Sequence, residues 1–274
     1  EVFRGLLWGQ KVAVKQLKTD KEGADAASLE RELLHETRVL SVMSHPCILT
    51  LIGYTQVPPQ IVLEVLEGTV YDLVRAGVDD KCDGGMLGPL IDILSGCAYL
   101  HACNPPLLHR DLKPPNVLYD EKFRCKLCDF GTAFELKPGA ALPTEWVGSA
   151  LYVAPELDDQ KPYGLAADVF SFGVLAYELY HLAHNGVDFY GEGDLFEGGG
   201  IIEGMELIRT PILSTPSEPP PRPEACTSDA VWDLLCKSLA FNPSERPGFG
   251  TLASGIGAAR QAADGGNIST WLAG

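Results

Sequence analysis

Positive charge is scarce in this 274-residue chain: 21 lysines and arginines stand against 37 aspartates and glutamates, a formal net charge of −16. A broad basic face for nucleic acid or anionic lipid is therefore not expected. Long apolar runs are missing as well, so no segment has the length of a membrane-spanning helix. Eight cysteines are present, but not as a disulfide framework. They are scattered over a chain long enough to bury a core without staples, and several lie in apolar helix or strand contexts, which reads as a reduced, intracellular (cytoplasmic) protein. "CKLC" (Cys125 to Cys128) has the spacing of half a zinc site. The other half is absent, so these are read as strand cysteines. No internal repeat is present. The chain opens on "EVFRG" with neither an initiator methionine nor a signal-like segment, and is read as a fragment. With 46% hydrophobic and 21% charged residues, the composition is that of an ordinary soluble globular protein.

Strand and helix periodicities divide the chain in two. "EVFRGLLWGQKVAVKQLK" predicts two strands, Glu1 to Leu7 and Lys11 to Leu17, around a turn at Trp8-Gly9-Gln10. "ASLERELLHETRVLSVM" has helical period, and "CILTLIGYTQ" and "PQIVLEVLE" return to strand character. After Gly68 the patterns are mostly long and helical: "TVYDLVRAG", "GPLIDILSGCAYLHA", "DVFSFGVLAYELYHLAH", "VWDLLCKSLA" and "GTLASGIGAARQAA". The expected boundary lies near Glu64 to Gly68, giving units 1–67 and 68–274. Between His184 and Glu224 a Gly- and Pro-rich acidic stretch, with "GEGDLFEGGG" and "STPSEPPPRPE", reads as a surface excursion around one short helix, "IIEGMELI".

One loop concentrates the chemistry. "LLHRDLKPPNVLYD" puts His, Arg, Asp, Lys and Asn within eight residues, between a predicted helix and the strand-like "NVLY" and "CKLC". A solvated turn would account for any one of these residues, but poorly for the set. Eighteen residues after Asp111 comes Asp129, in "CDFG". Hard divalent cations take oxygen ligands, which Asn116 and Asp129 supply; Asp111 can accept a proton from an attacking hydroxyl, and Lys113 can meet a phosphoryl oxygen. The set suits phosphate transfer, and the prolines help to fix the loop.

"VAVK", "HRDLKPPN", "CDFG" and "VAPE", in this order and with these gaps, resemble the signature set of the eukaryotic protein kinases over essentially the whole chain. The resemblance implies an α+β, bilobal fold: a small antiparallel sheet lobe with one helix, and a larger, mainly helical lobe. It implies ATP and Mg2+ as cofactors, Lys15 as the strand lysine on the nucleotide phosphates, Asp111 as base, Lys113 beside it, and Asn116 and Asp129 as magnesium ligands. The helix before "HPCIL" offers Glu30, Glu32 and Glu36 as partner to Lys15, and the family's spacing from His45 selects Glu36. Leu40, Leu51, His109 and Phe130 are expected to stack as the family's regulatory column. "VLEVLEG" resembles the hinge, with Leu63 flanking the adenine pocket and the backbone of Glu64 and Leu66 meeting the adenine edge; Val2, Ala13 and Leu118 complete the nucleotide set.

Three further residues have structural roles first. Asp168 starts an apolar helix and can be its N-cap, whereas the resemblance assigns it hydrogen bonds to the backbone at His109-Arg110. Glu156 and Arg246 are expected to form a buried ion pair. Lys113 and Ser149 follow the serine/threonine pattern, and "LTLIGY" and "DVFSFGVLAYEL" are closest to the tyrosine kinase-like group. Protein substrates with Ser/Thr acceptors are implied, with regulatory domains possible outside this stretch. A kinase-fold scaffold and a dual-specificity or tyrosine kinase are the alternatives. The family's glycine-rich loop is expected immediately before Val2, and Thr144, in "LPTEWVGS", is the candidate phosphate carrier for Arg110, with Lys126 as a second cation.

Overall fold

A computed structural model describes residues 1–16, 24–78, 85–186, 204–215 and 218–263. Strands β1 (Val2–Leu7), β2 (Gln10–Gln16), β3 (Leu51–Gln56) and β4 (Pro59–Leu63) form an antiparallel sheet in the order β1-β2-β4-β3. Helix α1 (Ala24–Ser41) packs on it. The β1-β2 turn is tight because Trp8 and Gly9 both take positive φ (50° and 83°), the left-handed conformation that glycine adopts without steric cost. The predicted end of the second strand, at Leu17, lies outside the described residues.

The apolar run "CILTLIGYTQ" does not form one strand. Only Leu51–Gln56 joins the sheet. Cys47 to Leu49 instead pair downward: Leu49 N–H donates to Leu127 O and Leu127 N–H to Cys47 O, both at 2.9 Å. Those backbone groups have partners in the second unit, so the run is divided between the two.

Beyond the connection at Glu64 to Glu67 the chain is mainly helical: α2 (Val70–Arg75), α3 (Leu87–Ala102), α4 (Pro155–Asp158), α5 (Ala166–Asn185), α6 (Thr210–Ser214), α7 (Asp229–Ser238) and α8 (Phe249–Ala263). Strand β5 (Gly68–Thr69) pairs with β7 (Val117–Tyr119), which pairs with β8 (Cys125–Leu127), while β6 (Leu107–Leu108) pairs with β9 (Phe134–Glu135). These short strands flank the loop of residues 109–116. Helix α5 is buried along nearly its whole length, from Ala167 to Leu182, because its sequence is apolar on every side. In the expected excursion, residues 187–203, 216 and 217 lie outside the described residues. "IIEGMELI" is seen from Gly204 onward as a π-helical turn (Met205–Arg209) running into α6. The architecture is the expected α+β one: a small antiparallel sheet with a helix, beside a larger helical body. No described helix is long and apolar enough to cross a membrane.

Candidate active site

The loop of residues 109–116 is fixed from below by one carboxylate. Asp168, in the first turn of α5, accepts the N–H of His109 on Oδ2 at 2.8 Å and that of Arg110 on Oδ1 at 2.9 Å. His101 Nε2 lies 3.1 Å from Oδ2. Asp168 is not the helix N-cap; Leu165 holds that position, without a side-chain cap. Burial alone raises the Asp168 carboxyl, but the hydrogen bond and charge of His101 and the N–H of His109 outweigh it and hold the pKa below the ordinary 3.8. The N–H of Arg110 is thereby held in a left-handed turn (φ 68°) that a β-carbon disfavours.

That turn presents Asp111. Its Oδ1 accepts a hydrogen bond from Ser149 Oγ at 3.0 Å, and its Oδ2 faces Lys113 Nζ at 2.9 Å. Lys113 Nζ also donates to Ser149 Oγ at 2.7 Å. Asn116, on a short 3-10 turn (Pro114–Asn116), donates through Nδ2 to Asp111 O at 2.8 Å and to Asp111 Oδ2 at 2.9 Å. The expected lysine, asparagine and serine therefore converge on the Asp111 carboxylate.

Across the cleft, β2 presents Lys15 and α1 presents Glu36. Lys15 Nζ lies 2.6 Å from Glu36 Oε2 and 3.1 Å from Asp129 Oδ1. Glu36 is 2% exposed, whereas Glu30 and Glu32 face outward, so of the three candidates Glu36 is the one that meets the lysine. Burial pulls the Lys15 ammonium down, yet the charges of Glu36 and Asp129 outweigh it and raise its pKa above 10.5, so Lys15 is charged at neutral pH. Burial leaves the Glu36 carboxyl above its ordinary value despite Lys15. For Asp129, burial is again the largest influence, but Lys15 reverses it and the pKa falls below 3.8. Asp129 also stands at positive φ (62°), which turns its carboxylate into the cleft while Phe130 goes into the core. The Phe130 ring lies 5.0 Å from that of His109; Leu40 is in the same core and Leu51 packs against it.

Between these groups and the connection opens a cavity of about 370 Å³. Its walls include every expected nucleotide-side residue: Val2, Ala13, Lys15, Leu63, Glu64, Leu66 and Leu118, with Glu36 and Asp129 at its inner end. Phe3, Arg4, Leu49 and Cys128 also line it. Strand alternation from Val2 signals Arg4, and the position next to "DFG" signals Cys128; Phe3 and Leu49 carry no such signal. Cys125 and Cys128 are both buried, and among the described residues no three His, Cys, Asp or Glu side chains gather as a metal site.

Glu156 and Arg246 form the expected pair: Nη1 to Oε1 is 2.8 Å and Nη2 to Oε2 is 2.9 Å, both residues buried. Of the two cations expected to meet a phosphate on Thr144, Lys126 is engaged elsewhere: its Nζ lies 2.8 and 2.9 Å from the two carboxylate oxygens of Glu64. Sequence reading had given the Glu64 side chain no task. Arg110 already has an anionic partner, Glu145, with Nη1 to Oε1 2.5 Å, and Thr144 beside it is exposed. Also unforeseen was the buried carboxylate of Glu178, which accepts the hydroxyls of Tyr71 and Tyr152, each at 2.5 Å.

A small sheet and a helical body enclosing a cleft, with lysine, glutamate and aspartate on one wall and an aspartate-asparagine loop on the other, define a protein kinase. Residues 1–255 match the protein kinase domain family, and the chain belongs to it. It is 32% identical over 273 residues to the probable serine/threonine-protein kinase SIS8 of Arabidopsis thaliana, covering 98% of this chain and 24% of that protein. It is 36% identical to the serine/threonine-protein kinase CTR1 of the same plant over 65% of this chain and 22% of that protein. With the probable serine/threonine-protein kinase drkC of Dictyostelium discoideum it shares 35% identity over 65% of the chain, 24% of that protein. The chain thus spans about a quarter of the length of these curated relatives.

Proposed function

We propose that this chain is the catalytic domain of a cytoplasmic serine/threonine kinase that transfers the γ-phosphoryl group of ATP to hydroxyls of protein substrates, with residues 1–67 and 68–274 as its two lobes. The observation that carries the reading is the convergence of Lys15, Glu36 and Asp129 at one end of the cavity, with the Asp111, Lys113 and Asn116 loop in the facing lobe. A nucleotide fits the apolar walls of the cavity, with the backbone of Glu64 and Leu66 at its adenine edge. The pairing of one carboxylate with one amide suits Mg2+, which takes one or two protein oxygens and completes its shell with phosphates and water.

When bound, ATP with its magnesium supplies the phosphoryl group and the cation that neutralises its charge. Lys15 positions the nucleotide phosphates, and Glu36 holds the Lys15 ammonium in place. Asn116 and Asp129 offer their side-chain oxygens to the metal. Asp111 accepts the proton of the substrate hydroxyl as the new oxygen-phosphorus bond forms and the bond to the departing nucleoside diphosphate breaks. Lys113 sits 2.9 Å from Asp111 and stabilises charge on the transferred group. The Lys113-Ser149-Asp111 triangle favours a serine or threonine acceptor, in keeping with the printed names of the relatives.

The test uses the full-length protein with myelin basic protein as a generic acceptor. Asp111→Asn is expected to lower kcat by roughly a hundredfold or more while leaving nucleotide affinity near normal. Phosphoamino-acid analysis should return phosphoserine and phosphothreonine. Undiminished turnover by Asp111→Asn would remove the base from the mechanism, and a phosphotyrosine product would remove the acceptor assignment.

A further inference from the structure

Arg110 directly precedes the proposed base, and its side chain is tied down through Nε and Nη1. Nε donates to Thr132 O at 2.5 Å, Nη1 donates to Tyr163 OH at 3.2 Å, and the guanidinium carbon lies 5.0 Å from the centre of the Phe134 ring. The side chain is only 11% exposed. A cation fixed in so shielded a pocket is costly unless an anion joins it. Among the described residues, the carboxylate within ion-pair reach of Arg110 is that of Glu145.

Glu145 is itself docked. Its backbone carbonyl accepts the hydroxyl of Tyr163 at 3.2 Å, and the carbonyl of Pro143 accepts the Tyr163 N–H at 3.1 Å. Residues 143–145 are therefore held against a buried side chain, and the Glu145 carboxylate is delivered to Arg110 from a fixed backbone. Three residues further on, Gly148 takes φ +100°, and a β-carbon there would stand 2.5 Å from Arg110 O. The next residue is Ser149, which donates to Asp111. The segment thus crosses the catalytic loop twice, at Arg110 through Glu145 and at Asp111 through Ser149.

We propose that Glu145 is a resident anion that positions the activation segment on Arg110, so that the segment takes its working arrangement with no phosphate on it. A phosphate on the neighbouring Thr144 would add about −1.5 to −2 charge beside a carboxylate that already holds the arginine. Lys126, the other cation considered for that phosphate, is engaged with Glu64. Glu145 is a positioning residue: it acts through Arg110 on Asp111 and touches neither nucleotide nor acceptor. Charge held close to Arg110 also keeps the Glu145 carboxyl below its ordinary range, after burial, which pushes it up, and local backbone hydrogen bonds are counted.

This inference rests on the reading of Asp111 as base, and the experiment separates the two. The full-length protein is treated with phosphatase, its Thr144 is shown by intact and peptide mass to be unmodified, and turnover is measured with myelin basic protein and ATP-magnesium. Wild type and Thr144→Ala are expected to keep full kcat. Glu145→Gln should lower kcat roughly tenfold with KM for ATP within about twofold, a split that simple unfolding would not produce. Chymotrypsin cleavage after the exposed Trp146 should accelerate in Glu145→Gln, and adding Glu145→Gln to Arg110→Gln should cost nothing further. Loss of wild-type turnover on dephosphorylation, or a Glu145→Gln variant with wild-type kcat, overturns the proposal. Asp111→Asn is run alongside: full turnover in that variant would defeat the reading of the site itself, whatever Glu145 does.

Discussion

The Lys126 ammonium sits between both oxygens of the Glu64 carboxylate, 2.8 Å from Oε1 and 2.9 Å from Oε2. Glu64 Oε1 also accepts the Thr50 N–H at 2.7 Å. The side chain of a connecting residue thus joins the start of β3, the connection and β8. Lys126→Met removes the cation from a pair that is 11% and 25% exposed. The expected cost is about 1–2 kcal/mol in urea unfolding. KM for ATP should rise with it, because the backbone of Glu64 and Leu66 loses its support. Unchanged values of both would reduce the contact to an ordinary surface pair.

The Lys15 pair predicts a different pattern. Glu36→Gln keeps the volume of a side chain that is 2% exposed but removes its charge. Lys15 is then drawn to Asp129 alone, 3.1 Å away. KM for ATP should rise by roughly tenfold, with the melting temperature little changed. Calorimetry with ATP-magnesium on both proteins reads this directly, and equal affinities would separate Glu36 from nucleotide positioning.

The Glu156-Arg246 pair should report on stability before chemistry. Arg246 also donates to the carbonyls of Ala240, Ala166 and Phe241 and lies over the Phe170 ring. Arg246→Ala strands a buried carboxylate, at an expected cost of about 3–5 kcal/mol. Chemical denaturation should show that loss, while the surviving folded fraction keeps KM for ATP near that of wild type.

Asp168 gives a pH dependence of definite sign. Its folded pKa lies below the ordinary 3.8. A depressed carboxyl contributes stability that is fully present above the unfolded value and is lost as pH falls through the folded one. The stability gap between wild type and Asp168→Asn should therefore be constant from about pH 7 down to about pH 5 and shrink below about pH 4. A gap that widens on acidification would contradict the assignment.

What could be read in advance follows from the range of the interactions. Helices α3, α5 and α8 carry their period in their own residues, so local sequence exposes them. The proposed catalytic groups Lys15, Asp111, Asn116 and Asp129 sit in short motifs whose order is their signature. Choosing Glu36 over Glu30 and Glu32 needed a count from His45, since all three lie on one helix and only packing separates them. Glu64-Lys126, Arg110-Glu145 and Glu178 with its two tyrosines were hidden. Each joins polar residues from distant stretches with no local pattern, and a charged residue in a loop looks the same whether or not it has a partner. The division of Cys47 to Gln56 between two units was hidden for the same reason: apolar strand residues do not name the strand they will pair with.

The backbone bonds from Cys47 and Leu49 to Leu127 make the end of α1 a fulcrum anchored in the larger body. Glu36 is the load on this lever, five residues before the helix ends at Ser41. At 1.5 Å per residue the arm is about 8 Å, so a tilt of only about 10° swings the carboxylate by about 1.3 Å. That travel opens a 2.6 Å contact with Lys15 beyond hydrogen-bonding range. Nothing in the sheet or in the catalytic loop has to move for the lysine to lose its partner.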